Sequence, residues 1–362
     1  MSNRVYNFNP GPAALPLDVL EQGREQFVEF EDSGMSLMEM SHRSKRFERL
    51  NEETQQQLLE LMELSDDYEV LFMGGGASAQ FALVPMNFLP AGGHASYLIT
   101  GQFAEKAYEE ARYYGNPVQA ASSKADGWRR IPGQDELIIP RDSAYVHLTA
   151  NNTIEGSQFV SLPDTGGVPL IADMTSCILG RRFDYNQLSL IYAGAQKNLG
   201  PAGVTVAVIR RDYAQKGSAD IPAIMRYQTY VKNKSLYNTP PVHSIYMVKL
   251  MLDWYKREGG IAEFERRNER KSQLLYNQID RSGGFYKGII DKPYRSVMNV
   301  TWRLEQEELE QLFVQDAKEA GFVGLSGHRS VGGIRASVYN AVPVQACEAL
   351  ADFMGTFARR YG

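Results

Sequence analysis

The sequence predicts an α/β fold, with a large domain built on a mostly parallel sheet sandwiched by helices and a smaller C-terminal α/β domain. Between about residues 65 and 210, short apolar runs alternate with helical patterns, as βαβ units do. Beyond Ile209 that alternation stops, and Glu258-Gly259-Gly260 separates two long helical patterns, which marks a domain boundary. The expected division is an N-terminal arm at 1–16, a large domain at 17–257 and a small domain at 258–362.

Asn7 to Pro16 holds three prolines and a glycine, so it reads as an extended arm with turns. A helical pattern follows from Leu17 to Glu31. Met38 to Ser44 then sets His42 and Arg43 side by side ahead of an amphipathic helix from Arg46 to Leu64. Such a pair either decorates a loop or grips a phosphate or carboxylate through charge-assisted bonds.

Tyr68 to Met73 reads as a strand that runs into Gly74-Gly75-Gly76-Ala77-Ser78-Ala79-Gln80 and a helical run to Leu89. Strand, glycine-rich turn and helix start form an anion cradle, because successive N–H groups and the helix dipole face one spot. A triple glycine can also mark only a tight turn. It is not a Walker loop, since no Gly-Lys-Ser/Thr follows, and it lacks the dinucleotide spacing Gly-x-Gly-x-x-Gly.

Ala95 to Thr100 is the next strand and Phe103 to Tyr114 the next helix. Phe103, just past Gly101, sits where a ring either stacks on a flat ligand or fills the core. Tyr145 to Thr149 is a strand ending in a polar loop, Ala150 to Gly156, able to hydrogen-bond a ring hydroxyl. Val204 to Ile209 closes the sheet pattern. Ile221 to Tyr237 is loop-like, and Thr239 before two prolines is pushed out of the helical region. Helices are expected over Ser244 to Arg257 and Ile261 to Ile279, then a strand over Val297 to Trp302 and a helix over Glu305 to Ala320. The stretch Gly324 to Asn340 carries a second His-Arg pair, His328 and Arg329.

Two strand ends carry the chemistry. Leu190-Ile191-Tyr192-Ala193 is a buried strand running into a small-residue turn that leaves one lysine, Lys197, before Gly200-Pro201. It is either a surface lysine of a βα loop or an amine that desolvation strips of its proton, which is the form that makes a Schiff base. Pro169 to Ser176 is a second buried strand, ending on Asp173. Neighbouring parallel strands would bring this carboxylate and that amine to one sheet edge. Pyridoxal phosphate needs such a pair: a lysine for its aldehyde, and an acid to keep its ring nitrogen protonated. A strand-end Asp alone is as readily a helix cap.

With 43% hydrophobic and 22% charged residues, the composition is that of an ordinary globular protein. A net charge of −5 and no basic run interleaved with aromatics argue against a nucleic-acid partner. No apolar run is long enough to cross a bilayer, and the first residues lack a signal-peptide core, so no membrane partner and a cytoplasmic location are expected. Two cysteines and five scattered histidines give neither a disulfide framework nor metal-ligand spacing, and no metal is expected.

The strings Gly11-Pro12-Ala13-Ala14-Leu15-Pro16, Ser41-His42-Arg43, Gly74 to Ser78, Ala193 to Asn198, Tyr237 to Pro241 and Gly327 to Ser337, in order along the whole chain, resemble the phosphoserine aminotransferase family of the class V aminotransferases. The resemblance implies the aspartate aminotransferase-like fold, that is, fold type I of the pyridoxal-phosphate-dependent transferases. It implies that Lys197 holds pyridoxal phosphate as a Schiff base and shuttles the proton. Asp173 then pairs with the ring nitrogen, and Thr153 bonds near the ring hydroxyl. Ala77, Ser78 and Gln196 bind the phosphate group, joined by Asn238 and Thr239 from a partner subunit, which makes a homodimer part of the active site. Phe103 falls where many members carry a stacking tryptophan, and its smaller ring keeps the face-on contact.

For the substrate, the resemblance implies Arg335 at the α-carboxylate. His42, Arg43, His328 and Arg329 form a cluster for a phosphate dianion, with contributions from both subunits. The implied reaction is 3-phosphohydroxypyruvate plus L-glutamate giving O-phospho-L-serine and 2-oxoglutarate, in serine biosynthesis and, in some bacterial members, also in the vitamin B6 route. A class V relative acting on alanine and glyoxylate would use the same lysine and aspartate with less need of two His-Arg pairs. A non-catalytic phospholigand-binding protein would need the pairs but not Lys197 with Asp173.

Overall fold

Apolar residues on both faces of successive strands dictate a sheet covered on both sides. The structure, a computed structural model, describes residues 4–362; the first three residues of the expected arm lie outside it. The chain begins with β1 (Tyr6–Asn7), α1 (Leu17–Glu25) and α2 (Lys45–Leu61). The main layer then alternates β2 (Tyr68–Met73), α3 (Gly76–Phe88), β3 (His94–Ile99), α4 (Gln102–Ala111) and β4 (Asn116–Ser122), followed by β5 (Val146–Thr149), β6 (Leu170–Asp173), β7 (Leu188–Gly194) and β8 (Thr205–Arg210). Two short helices, α5 (Arg211–Ala214) and α6 (Tyr227–Lys232), lead to the long α7 (Val242–Arg257) and α8 (Gly260–Arg281). The rest comprises β9 (Lys287–Gly288), β10 (Asn299–Arg303), α9 (Glu307–Glu319), β11 (Phe322–Val323), β12 (Ile334–Ser337) and α10 (Val344–Tyr361).

The seven-stranded sheet has the order β2-β8-β7-β6-β5-β3-β4. Only β8 runs against its neighbours, pairing antiparallel with both β2 and β7. On one face α2 and α7 pack on Val70, Phe72, Val146, Leu148 and Val208. On the other, α3 and α4 pack on Leu71, Met73, Tyr97, Ile171 and Tyr192. A separate apolar core joins α8, α9 and α10 to the three-stranded sheet β12-β10-β9. The arm reaches that region: β1 pairs in parallel with β11, and Phe8 is fully buried in the C-terminal core.

Several expectations need correction. The helix expected to reach Glu31 ends at Glu25, because the chain turns to bury Phe30 against Tyr246, with Glu31 and Asp32 at positive φ. The loop-like stretch 221–237 contains α6, whose Tyr227 is buried under the sheet. The helix expected from Arg46 to Leu64 stops at Leu61, and that from Phe103 to Tyr114 at Ala111. Strand β4 and helix α10 have no counterpart in the sequence reading. Among the described residues no helix is long and apolar enough to cross a membrane, and no group of three or more His, Cys, Asp or Glu is placed to hold a metal ion.

Candidate active site

Parallel pairing in register brings strand ends together. Thr149 of β5 lies beside Asp173 of β6, and Asp173 beside Tyr192 of β7. Past Gly194 the chain leaves β7 in a turn that carries Gln196 and Lys197. These strand ends open onto a cavity of about 270 Å³ between the sheet, the start of α3 and the start of β12. The arm forms one wall: Ala13 N donates to Gln196 O at 2.8 Å, and Gly11 sits where a Cβ would lie 3.3 Å from Lys197 Cγ. Gly11 also has φ +139°, so both its conformation and its closeness favour the residue without a side chain.

Among the described residues two lysines are buried, Lys197 and Lys271, and burial lowers each to a pKa of about 8. Their surroundings differ. Lys271 on α8 donates to three carbonyl oxygens, those of Val338, Tyr339 and Val342, at 2.8, 2.7 and 3.1 Å. Three acceptors saturate an ammonium and hold it as a structural cation. Lys197 Nζ donates once, to Thr153 Oγ1 at 2.7 Å, and faces the cavity. An amine with one partner and a depressed pKa is the one available to react.

Asp173 is buried, and desolvation pushes its carboxyl above the ordinary range, opposed by Thr175 and by the charge of Lys197. Thr175 N donates to Asp173 Oδ1 at 2.9 Å, and Thr175 Oγ1 accepts from Gly194 N at 3.2 Å, so one threonine ties the two strand ends. Across the cavity lies Arg335, buried on β12. Its Nη1 donates to Thr153 O at 3.1 Å, and its Nε has no hydrogen-bond partner. A buried guanidinium left with an open donor is a site waiting for an anion. Burial and the nearby charges of Arg335, Arg329 and Lys106 hold the His328 imidazole below its ordinary pKa, so the positive charge of this wall belongs to those neighbours and the imidazole is held toward its neutral form.

Of the residues singled out from the sequence, Ala77, Ser78, Phe103, Thr153, Asp173, Gln196, Lys197, His328 and Arg335 line this one cavity. The Phe103 ring centroid is 5.9 Å from Lys197 Nζ. Arg329 is exposed beside His328 and does not line the cavity. His42, Arg43, Asn238 and Thr239 also lie outside the cavity of their own chain, and all but the half-buried His42 are exposed. Asn151 of the polar loop lines the cavity too, as do Thr175 and Ser176, to which the sequence assigns no role; nor does it assign one to Tyr339, whose hydroxyl donates to Pro10 O at 2.9 Å and secures the arm. Thr175 and Ser176 stand two and three residues past Asp173, and a threonine two residues past a strand-end aspartate is an Asx-turn signal that could have been read.

The residues present fit pyridoxal phosphate. Gly75 at φ 89° precedes α3, whose first-turn residues Gly76, Ala77 and Ser78 line the cavity with N–H groups that no side chain caps, as a phosphate site requires. The buried Asp173 carboxylate calls for a cationic ring nitrogen, and Lys197 offers an amine to an aldehyde.

The family model described as Aminotransferase class-V matches residues 5–350. The chain is 53% identical over 361 residues to the phosphoserine aminotransferase of Lysinibacillus sphaericus (strain C3-41), covering 100% of both chains. It superimposes on the structure of the phosphoserine aminotransferase of Bacillus circulans subsp. alkalophilus with a TM-score of 0.98 at 53% identity, covering 100% of each chain. The structure of the pyridoxal-phosphate-bound phosphoserine aminotransferase of Trichomonas vaginalis is also similar, with a TM-score of 0.92 and 34% identity over 97% of this chain and 100% of that one.

Proposed function

The chain belongs to the class-V aminotransferases, and from that premise we propose that it transfers the amino group of L-glutamate to 3-phosphohydroxypyruvate, giving O-phospho-L-serine and 2-oxoglutarate. What supports this most is a single cavity that holds a singly bonded buried amine, a buried carboxylate and a guanidinium with an open donor. Pyridoxal phosphate, when bound, supplies the aldehyde that takes up nitrogen and the ring that draws electrons from the substrate Cα.

The chain's own residues do the rest. Lys197 Nζ, eased toward its neutral form by burial, takes the proton from the substrate Cα, with Thr153 Oγ1 fixing its position. Asp173 would hold a proton on the ring nitrogen of the bound cofactor, and the Thr175 N–H fixes the position of that carboxylate. Ala77 and Ser78 at the start of α3, with Gln196, would hold the cofactor phosphate, and Phe103 would supply a ring for stacking. Arg335 forks the α-carboxylate. His328 and Arg329, with His42 and Arg43 of a second copy, take the substrate phosphate in one half-reaction and the glutamate side-chain carboxylate in the other. Sharing one pocket makes the kinetics ping-pong.

Asn238 and Thr239 serve the cavity of that second copy, so the working unit is a homodimer with shared sites. Exposed apolar side chains on α1 and the segment after it, Leu17, Leu20, Phe27, Val28, Met35 and Met38, support a buried partner face. A second apolar core around α8, α9, α10 and β10 supports a small domain beginning near residue 258, although Ile261, Phe264, Met298 and Tyr339 pack into the large core. The setting is cytoplasmic serine biosynthesis, with the phosphorylated hydroxy-oxo acid of pyridoxine biosynthesis as a second acceptor.

With L-glutamate as donor, kcat/KM for 3-phosphohydroxypyruvate should exceed that for pyruvate by at least about 10²-fold, the discrimination open to a site built for a charged group. Equal values would overturn the substrate and leave the class intact.

A further inference from the structure

Glu155 is a carboxylate buried beside the site with no role so far. It lies in the loop after β5, two residues past Thr153. Its Oε1 accepts from Gln102 N at 3.0 Å and so caps α4, whose own cap residue, Gly101, offers no side chain. Its Oε2 has no partner, and packs where a Cβ on Gly101 would come within 2.6 Å. Two buried atoms of opposite sign are therefore unmatched in one region: Glu155 Oε2 and Arg335 Nε.

We propose that Glu155 is the counter-charge that sets how strongly Arg335 attracts a substrate carboxylate, by taking up a proton when that carboxylate arrives. The proposal rests on Arg335 as the carboxylate site.

The groups around Glu155 come from each element packed on it. From α4 come the Gln102 N–H and Glu105, a like charge that is paired with Lys124 at 2.5 Å. From β12 comes Arg335, and from β10 Thr301, whose Oγ1 donates to Glu155 O at 2.7 Å. Asn152 lies alongside on the same loop. Burial raises the Glu155 carboxyl to about 7, with the Gln102 N–H and the Arg335 charge opposing. When a ligand carboxylate neutralises Arg335, Glu155 loses that support and its affinity for a proton rises further. Ligand binding then draws in a proton above neutrality, and the Kd rises as pH climbs past about 7.

The test uses the holoenzyme and 2-oxoglutarate, followed by calorimetry at pH 8 in two buffers of different ionisation enthalpy. The wild type should take up a measurable fraction of a proton per ligand, and its Kd should weaken at least about threefold from pH 7 to pH 8.5. Glu155→Gln keeps an acceptor for the Gln102 N–H; it should bind at least as tightly, with smaller uptake and a flatter Kd profile. Uptake unchanged in Glu155→Gln overturns the proposal. Arg335→Gln tells the two ideas apart: if it binds 2-oxoglutarate like the wild type, the carboxylate site itself is misplaced. Should Glu155→Gln not fold, infrared difference spectra of the wild type still decide, since a protonated-carboxyl band must grow on ligand addition at pH 8, and its absence sinks the idea.

Discussion

At the scale of single residues, what separates Lys197 from Lys271 is the number of acceptors each meets. Both are buried and both are lowered to about 8, yet only Lys197 keeps capacity to spare at the cavity. The sequence offered the strand, the small-residue turn and the lone lysine. It could not offer Lys271, which looks like one more basic position on an amphipathic helix until the turn after β12 closes on it. Asp173 makes the sharper prediction. Asp173→Asn preserves shape and the Thr175 N–H bond but removes the charge that keeps the ring nitrogen protonated, so kcat should fall by roughly 10²- to 10⁴-fold while cofactor is retained. Stopped-flow rates of the half-reaction with glutamate, beside an absorbance titration of bound cofactor, check both halves. A variant that turned over at the wild-type rate would remove Asp173 from the chemistry.

Elements were legible where their periodicity was strong. The strands at 68–73, 146–149, 170–173 and 205–210 are apolar enough on both faces to declare themselves. Strand β4 did not, because an edge strand with Pro117 and polar Asn116, Gln119 and Ser122 lacks that signature. The end of α1 was missed because burial of Phe30, a tertiary demand, overrides a run of good helix formers. At the start of α3, Gly75 adopts φ 89° and a Cβ there would lie 2.4 Å from Ala79 Cβ. Gly75→Ala should therefore cost about 1–3 kcal/mol and loosen the phosphate cradle, seen as a lower Tm and a weaker cofactor Kd. In β5, His147 is buried with Nε2 at 2.8 Å from Tyr192 Oη, and burial lowers its pKa to about 3. The folded value lies below the unfolded one, so this stability is present above about pH 6.5 and is lost as pH falls toward 3. The slope reaches about 1.4 kcal/mol per pH unit. Urea melts from pH 7 to 4 should show a smaller loss for His147→Gln than for the wild type; parallel curves would exonerate His147.

For the whole molecule, the site is assembled from parts far apart in sequence: the arm, three strand ends, the start of α3 and the start of β12. Composition and alternation made the large sheet readable, whereas the way the arm crosses to β11 and roofs Lys197 has no local signal. Residues His42, Arg43, Asn238 and Thr239, outside the cavity of their own chain, make the assembly testable. Mixing Lys197→Ala with Arg43→Ala subunits should restore about a quarter of wild-type activity if symmetric dimers pair at random and share sites, because one site in each mixed dimer regains both residues. No recovery beyond the two parents would mean that Arg43 acts within its own chain or not at all. Which amine carries the cofactor is read directly by borohydride reduction of the holoenzyme followed by peptide mass mapping. A single pyridoxyl adduct on Lys197 is the predicted result; an adduct on Lys271 or another lysine, or none, would contradict it.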